Sequence, residues 1–233
     1  MTRLGLLMLA DGRFPSGAHA HSGGVEAAVR DGRVRDHATL ATFVDGRLRT
    51  VGLTDAAFVA ATVRIITNTP PDAWSMHLAE LDAEANARIL AAPLRVASRR
   101  LGRQVVRAAA ACWPDNALLT VFESFPDGLH QNVAFGVAAL AAGVDSCDGA
   151  YVSLYNAVTM TSSAGVRLLG LDPLAVTAMT AGFEPLIEQL ASEADDIAVR
   201  CSLNLCDLPA LNGPLVEIAA MHHVHRDGRL FAT

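Results

Sequence analysis

The sequence predicts an all-α fold, a single-domain helical bundle with an irregular N-terminal loop and C-terminal tail, and three observations carry that expectation. Apolar residues recur at a spacing near 3.6 along almost the whole chain of 233 residues. No alternating strand pattern persists beyond a few residues. Alanine is abundant while aromatics make up only 5%. Alanine has the best helix propensity and a thin side chain, so helices rich in it form readily and approach closely.

The elements follow in order. Ser22 is placed to cap a helix starting near Val25. Asp36 can cap a helix whose buried stripe is Leu40, Phe43, Val44, Leu48 and Val51, with Gly52 as its stop. Thr54 can cap the next, which carries Phe58, Val59, Thr62, Val63 and Ile66. Thr69-Pro70-Pro71 breaks the chain, and Asp72 opens a helix with Trp74, Leu78, Leu81, Ala85 and Ile89 on one side. Pro93 divides that helix from the arginine-rich segment Leu94 to Ala111, which Pro114 ends. Asn116 to Phe125 is ambiguous between a strand and a segment buried on two sides in a bundle; Pro126-Asp127-Gly128 is a turn. Gln131 to Ala142 and Tyr151 to Leu169 are helices, each with a glycine just beyond its end (Gly143, Gly170). Asp172-Pro173 combines a capping residue with proline at the first helical position. The last long helix is expected to kink at Glu184-Pro185. One domain, residues 1–233, is expected, with a tail from about 207 to 233.

Composition narrows the function. Hydrophobic residues are 52% and charged residues 18%, which describes a globular chain and not a disordered one. All 18 basic residues are arginine. Without lysine, neither a Walker P-loop nor Schiff-base chemistry is possible. A net charge of −6 argues against a general polyanion binder. Cys112, Cys147, Cys201 and Cys206 form no C-x-x-C pair, and reduced thiols in a cytoplasmic protein account for them. Arg3 and the apolar run Leu4 to Ala10 imitate a signal peptide only faintly, because Asp11-Gly12-Arg13 interrupts the run. Val133 to Val144 is too short to span a bilayer. No membrane association is expected. There is no G-x-S-x-G elbow and no H-E-x-x-H helix, so no enzyme activity is expected either.

Four features invite a functional reading, each beside a plainer one. Asp11 to Gly24 contains Pro15, Gly17, His21, Ser22, Gly23 and Gly24; glycines before a helix can cradle phosphate, but they serve equally for a tight connection. His19 and His21, with His222, His223 and His225, are candidate metal ligands, or solvated histidines. Arg95, Arg99, Arg103 and Arg107 fall on one helix face beside Arg100, which suits an acidic partner, nucleic-acid phosphates or simply water. Arg229, Leu230 and Phe231 form an aromatic anchor that either folds back or docks into a partner.

Several stretches together resemble the UreF family of urease accessory proteins. They are Leu9-Ala10-Asp11 with Pro15-Ser16-Gly17 and Ala20-His21-Ser22-Gly23-Gly24-Val25-Glu26, the arginine-rich Arg99 to Arg107, and His130-Gln131-Asn132-Val133-Ala134-Phe135-Gly136. Ser162 to Leu168 and Met221-His222-His223 with Arg229-Leu230-Phe231-Ala232-Thr233 continue the match in order. His19, Val224, Thr233 and Asp172-Pro173 depart from the family pattern. The resemblance implies an all-α, non-catalytic scaffold that joins UreD (also called UreH) and the GTPase UreG to help deliver nickel into apo-urease. It also implies a homodimer, no cofactor of its own and no stably bound metal. A histidine-based nickel carrier and a helical nucleic-acid binder are the alternatives. Partner contacts are expected at Arg99, Arg100, Arg103, Arg229, Leu230 and Phe231 and around the loop that ends in Glu26. Function is thus expected at the two irregular ends and one arginine face rather than in a pocket.

Overall fold

The computed structural model describes residues 3–17, 20–114, 116–201, 204–223 and 231, with only the backbone of His223. Among them are eleven α-helices and no strand. In chain order they are α1 (Arg3–Ala10), α2 (Val25–Arg30), α3 (His37–Arg47), α4 (Leu53–Thr67), α5 (Trp74–Arg88), α6 (Ala92–Cys112), α7 (Gln131–Ala141), α8 (Ser146–Leu169), α9 (Pro173–Ala181), α10 (Glu184–Cys201) and α11 (Pro214–His223).

Helix α4 is the axis of the bundle. It packs against α7, α8 and α10, and most of its residues are buried, among them Phe58, Val59, Thr62, Val63 and Ile66. Ala56, Ala57, Phe58, Val59, Ala60 and Ala61 are a continuous run with no exposed surface. One apolar cluster gathers Phe58, Leu154, Leu190 and Ile197. A second lies around Val59, Val63, Val105 and Phe135, with Leu9 of α1 and Phe14 against it. Two helices approach so closely that only glycine fits: a β-carbon at Gly136 of α7 would lie 2.9 Å from the Val59 carbonyl oxygen. Arg64 of α4 grips Asp195 of α10 through two hydrogen bonds, the Nε one at 2.8 Å. The run His37–Thr67 is long and apolar enough to cross a bilayer, but most of that stretch is buried inside the bundle.

Several boundaries match the sequence. Asp36 caps α3 through Thr39 in a reciprocal capping box. Asp172 accepts from the Leu174 N–H ahead of α9, and Gly143 and Gly170 take the left-handed backbone that stops α7 and α8.

Others are corrected. Gly52 does not end a helix and Thr54 does not cap one: a single π turn, Leu48–Gly52, joins α3 to α4 without a break. The Thr54 hydroxyl turns instead to Leu211, far away in sequence. Asp72 lies in a 3-10 turn, Pro71–Ala73, and caps nothing. Residues Ala117–Ser124 are neither strand nor two-sided core but a 3-10 segment in which only Leu118 is buried. Helix α8 begins at Ser146, not Tyr151, because the Asp145 carboxylate accepts from the Asp148 N–H. Glu184-Pro185 starts a separate helix instead of kinking one, since proline is harmless in a first turn where its missing N–H has no partner to lose.

Candidate functional site

The N-terminal loop is a packed connection. Phe14 is buried in the second apolar cluster. Gly17, Gly23 and Gly24 all have positive φ, at 79°, 61° and 93°, and the space a side chain would need is taken at each. Gln104 fills it at Gly17, Met160 and Arg47 at Gly23, and Val216 of α11 at Gly24. The Ser22 hydroxyl accepts from the N–H groups of Gly24 and Glu26, at 3.3 and 3.4 Å. His21 is buried, and burial, followed by the charge of Arg100, holds its pKa below the ordinary imidazole value. At the loop's start Arg13 and Asp11 form an exposed fork, and these hydrogen bonds hold the Asp11 carboxyl at about 2. Pro15 lies between Phe14 and Gly17 on the exposed side of the loop.

Behind this loop lies a cavity of about 350 Å³, which the sequence did not announce. Its walls are the loop itself, the first turns of α4, one face of α8, the start of α6 and the inner side of α11. The lining of α8 runs Ser153, Asn156, Ala157, Met160, Ser163 and Arg167, a helical stripe that is largely small or polar. On the floor, Arg47 donates to the Gly23 carbonyl at 3.0 Å and Asn156 to the Leu9 carbonyl at 3.0 Å. Asn132, from the sequence His130-Gln131-Asn132, donates to Asp55 at 3.1 Å. Glu26 contributes to the wall as well. The irregular loop and the tail thus converge on a pocket instead of standing apart from one.

Asp55 is the titratable group in that pocket with the largest consequence. Burial pushes its carboxyl up from 3.8 to about 6, against the pull of Arg47 and of Asn132. Between those two values the folded chain holds a proton that the unfolded chain has released, so this group's contribution to stability falls as pH rises across that window. Replacing Asp55 by Asn removes the effect. The melting temperature of Asp55→Asn relative to the parent is expected to climb from pH 4 to pH 7. A difference that stays flat across that range would overturn the assignment.

The arginine face is divided between internal and exposed roles. Arg95 donates to the carbonyls of Ile89 and Leu90 at 2.7 and 2.8 Å, tying the start of α6 to the end of α5. Arg99 pairs with Asp82 at 2.8 Å and donates to the Gly128 carbonyl. Arg103 donates to the Asp127 carbonyl while remaining exposed, and Arg100 and Arg107 are exposed too. Asp82 is the hub that sequence reasoning missed: its other oxygen accepts from the buried His130 N–H at 2.7 Å. His130 itself is wholly buried, with its pKa lowered by desolvation and its Nδ1 without a partner.

His19, His225, Arg229 and Leu230 lie outside the described residues, as does the side chain of His223. His222 is exposed on α11. Among the described residues no group of three His, Cys, Asp or Glu side chains could hold a metal ion. Phe231 folds back: it is buried in the main cluster, with the Arg167 guanidinium 4.5 Å above its ring.

Residues 34–184 match the UreF family model. The chain is 38% identical over 232 residues to the urease accessory protein UreF of Mycolicibacterium vanbaalenii, covering 98% of this chain and 97% of the relative. It is 37% identical to that of Mycobacterium sp. strain JLS, with the same coverage. The protein of that name from Mycobacterium tuberculosis H37Rv is 36% identical over 234 residues, the full length of both.

Proposed function

The chain belongs to the UreF family, and from that premise we propose that it is a non-catalytic scaffold of urease maturation. It assembles in the cytoplasm with UreD (UreH) and the GTPase UreG, as a homodimer, and supports nickel insertion into apo-urease. The observation that carries the reading is similarity at 36–38% identity over nearly the full length of relatives that bear the accessory-protein name. The chain's surface suits such a role. Helix α11 leaves Leu215, Ile218 and Met221 between 52 and 58% exposed, beside the tail, and aliphatic groups of that size are typical of a contact core. Arg100, Arg103 and Arg107 give α6 an exposed cationic edge for an acidic partner. Nickel is cargo in this reading, and the chain needs no resident metal or nucleic acid.

Deletion of residues 222–233, which removes the tail and leaves Leu215, Ile218 and Met221 in place, tests the part of the docking assigned to the tail. Co-purification with UreD is expected to be lost, while the helical circular dichroism stays close to that of the parent. Undiminished binding of the truncated chain would overturn the tail assignment.

A further inference from the structure

Arg47 ends α3, and Asp55 lies in the first turn of α4, on one unbroken helical path. The π turn between them takes up one residue more than an α-helix would, so the path from one to the other is close to two α-helical turns. Both side chains therefore point to the same side. Each lies deep in the bundle and keeps part of its surface on the wall of the cavity. Opposite charges in so enclosed a place would be expected to meet, and these do not. Among the described residues no hydrogen bond or ion pair joins them, and Asp55 acts on Arg47 through its charge alone.

Each keeps hydrogen-bonding capacity in reserve. Arg47 spends Nη1 on the Gly23 carbonyl, at 3.0 Å, while its buried Nε has no acceptor among the described residues. The Nε edge is the one with which Arg64 holds Asp195, at 2.8 Å, and Arg13 holds Asp11, at 3.1 Å. On a buried guanidinium a donor left without an acceptor is costly, and a carboxylate is the group that fits this edge. Asp55 accepts from Asn132 through Oδ1 at 3.1 Å, and a carboxylate has room for further donors. The cavity wall between and around the two is largely apolar, with Phe58, Leu101, Phe135 and Met160. An apolar enclosure with a few convergent polar groups is the usual form of a small-molecule site.

We propose that the cavity binds a free aliphatic α-amino acid, with its carboxylate on Arg47, its ammonium on Asp55 and its side chain against the apolar wall. Charge selects this class. A simple anion on Arg47 would be repelled by Asp55, and a simple cation on Asp55 would be repelled by Arg47; a zwitterion satisfies both and leaves the site neutral. The volume of about 350 Å³ has room for such a molecule. The Met160 methyl shares with Arg47 Nε the space beside Gly23, and an unbranched thioether moves aside readily to admit the carboxylate. The assignment rests on the floor of the cavity and does not depend on how the tail docks.

Titration calorimetry on the full chain at neutral pH tests it, with millimolar L-leucine as the probe. Two analogues each remove one charge: L-leucine methyl ester lacks the carboxylate, and 4-methylpentanoate lacks the amine. Both are expected to bind at least about tenfold more weakly than leucine, the loss that follows from one charged hydrogen bond. Arg47→Gln and Asp55→Asn are each expected to weaken leucine by a similar factor, with circular dichroism confirming the fold. Asp55→Asn should at the same time strengthen 4-methylpentanoate, because the carboxylate that repels it is gone; a merely structural role for Asp55 would not move the two ligands in opposite directions. Absence of leucine binding to the folded parent overturns the proposal. So does either analogue binding as tightly as leucine, or leucine binding that both variants leave unchanged. Should a variant fail to fold, the comparison of the three ligands on the parent decides alone. Co-purification with UreD reads out the docking proposal separately, so either can fail without the other.

Discussion

Asp82→Ala is expected to destabilise the fold by about 3–5 kcal/mol, the range for removing one member of a largely buried charge pair. Two groups lose their partner at once. The His130 N–H is fully buried and has the Asp82 carboxylate as acceptor, and Arg99 would keep its charge with only the Gly128 carbonyl to receive it. Asp82→Asn separates the two losses, because an amide oxygen still accepts from His130 while the charge against Arg99 disappears. Its cost should fall clearly below that of alanine. Urea unfolding followed by circular dichroism measures both. Equal losses would mean that the charge, not the acceptor for His130, does the stabilising.

Gly102→Ala is the second large effect. A β-carbon there would lie 2.1 Å from the Leu129 carbonyl oxygen, in the turn that leads into α7. The obstacle is main chain and cannot rotate aside, so α6 and α7 must move apart. Overpacking of this kind costs about 1–3 kcal/mol, and a rigid obstacle puts this site at the upper end of that range. Alanine's better helix propensity, worth roughly 1 kcal/mol, offsets only part of it. Gly46 is the matched comparison: it lies inside α3, and a β-carbon there meets nothing within 4 Å. Gly46→Ala should therefore stabilise the chain while Gly102→Ala destabilises it. Two shifts of the same sign in a denaturation experiment would refute the steric account.

What the sequence made legible was local chemistry. Asp36, Asp172-Pro173, Gly143 and Gly170 each act through atoms a few residues away, so their roles can be read from a short window. Arg99 could be placed on a helix face, but its partner Asp82 is on the preceding helix, and no spacing rule links the two. Gly52 carries the signature of a helix stop, yet it lies in the π turn that carries α3 into α4 without a break. The cavity is the extreme case. Its lining comes from both ends of the chain and from four long helices, so the glycines and histidines that frame it read as loop and tail. The resemblance to UreF supplied the family, but not the fact that its N-terminal motif residues and the terminal phenylalanine share one enclosure.

The π turn at Leu48–Gly52 has a consequence for how this chain tolerates change in length. A π turn holds one residue more than the α-helical path it replaces, and each residue of an α-helix turns the following side chains by about 100°. The turn therefore sets the rotational phase of α4 relative to α3. Removing a single residue between Leu48 and Gly52 would leave a regular α-helical path with α4 in nearly the same phase, whereas winding all five residues as α-helix would swing Asp55 off the cavity floor and Phe58 out of its place in the core. Here a local irregularity works as a phase adjuster, absorbing one residue of length while keeping the register on which the rest of the bundle is assembled.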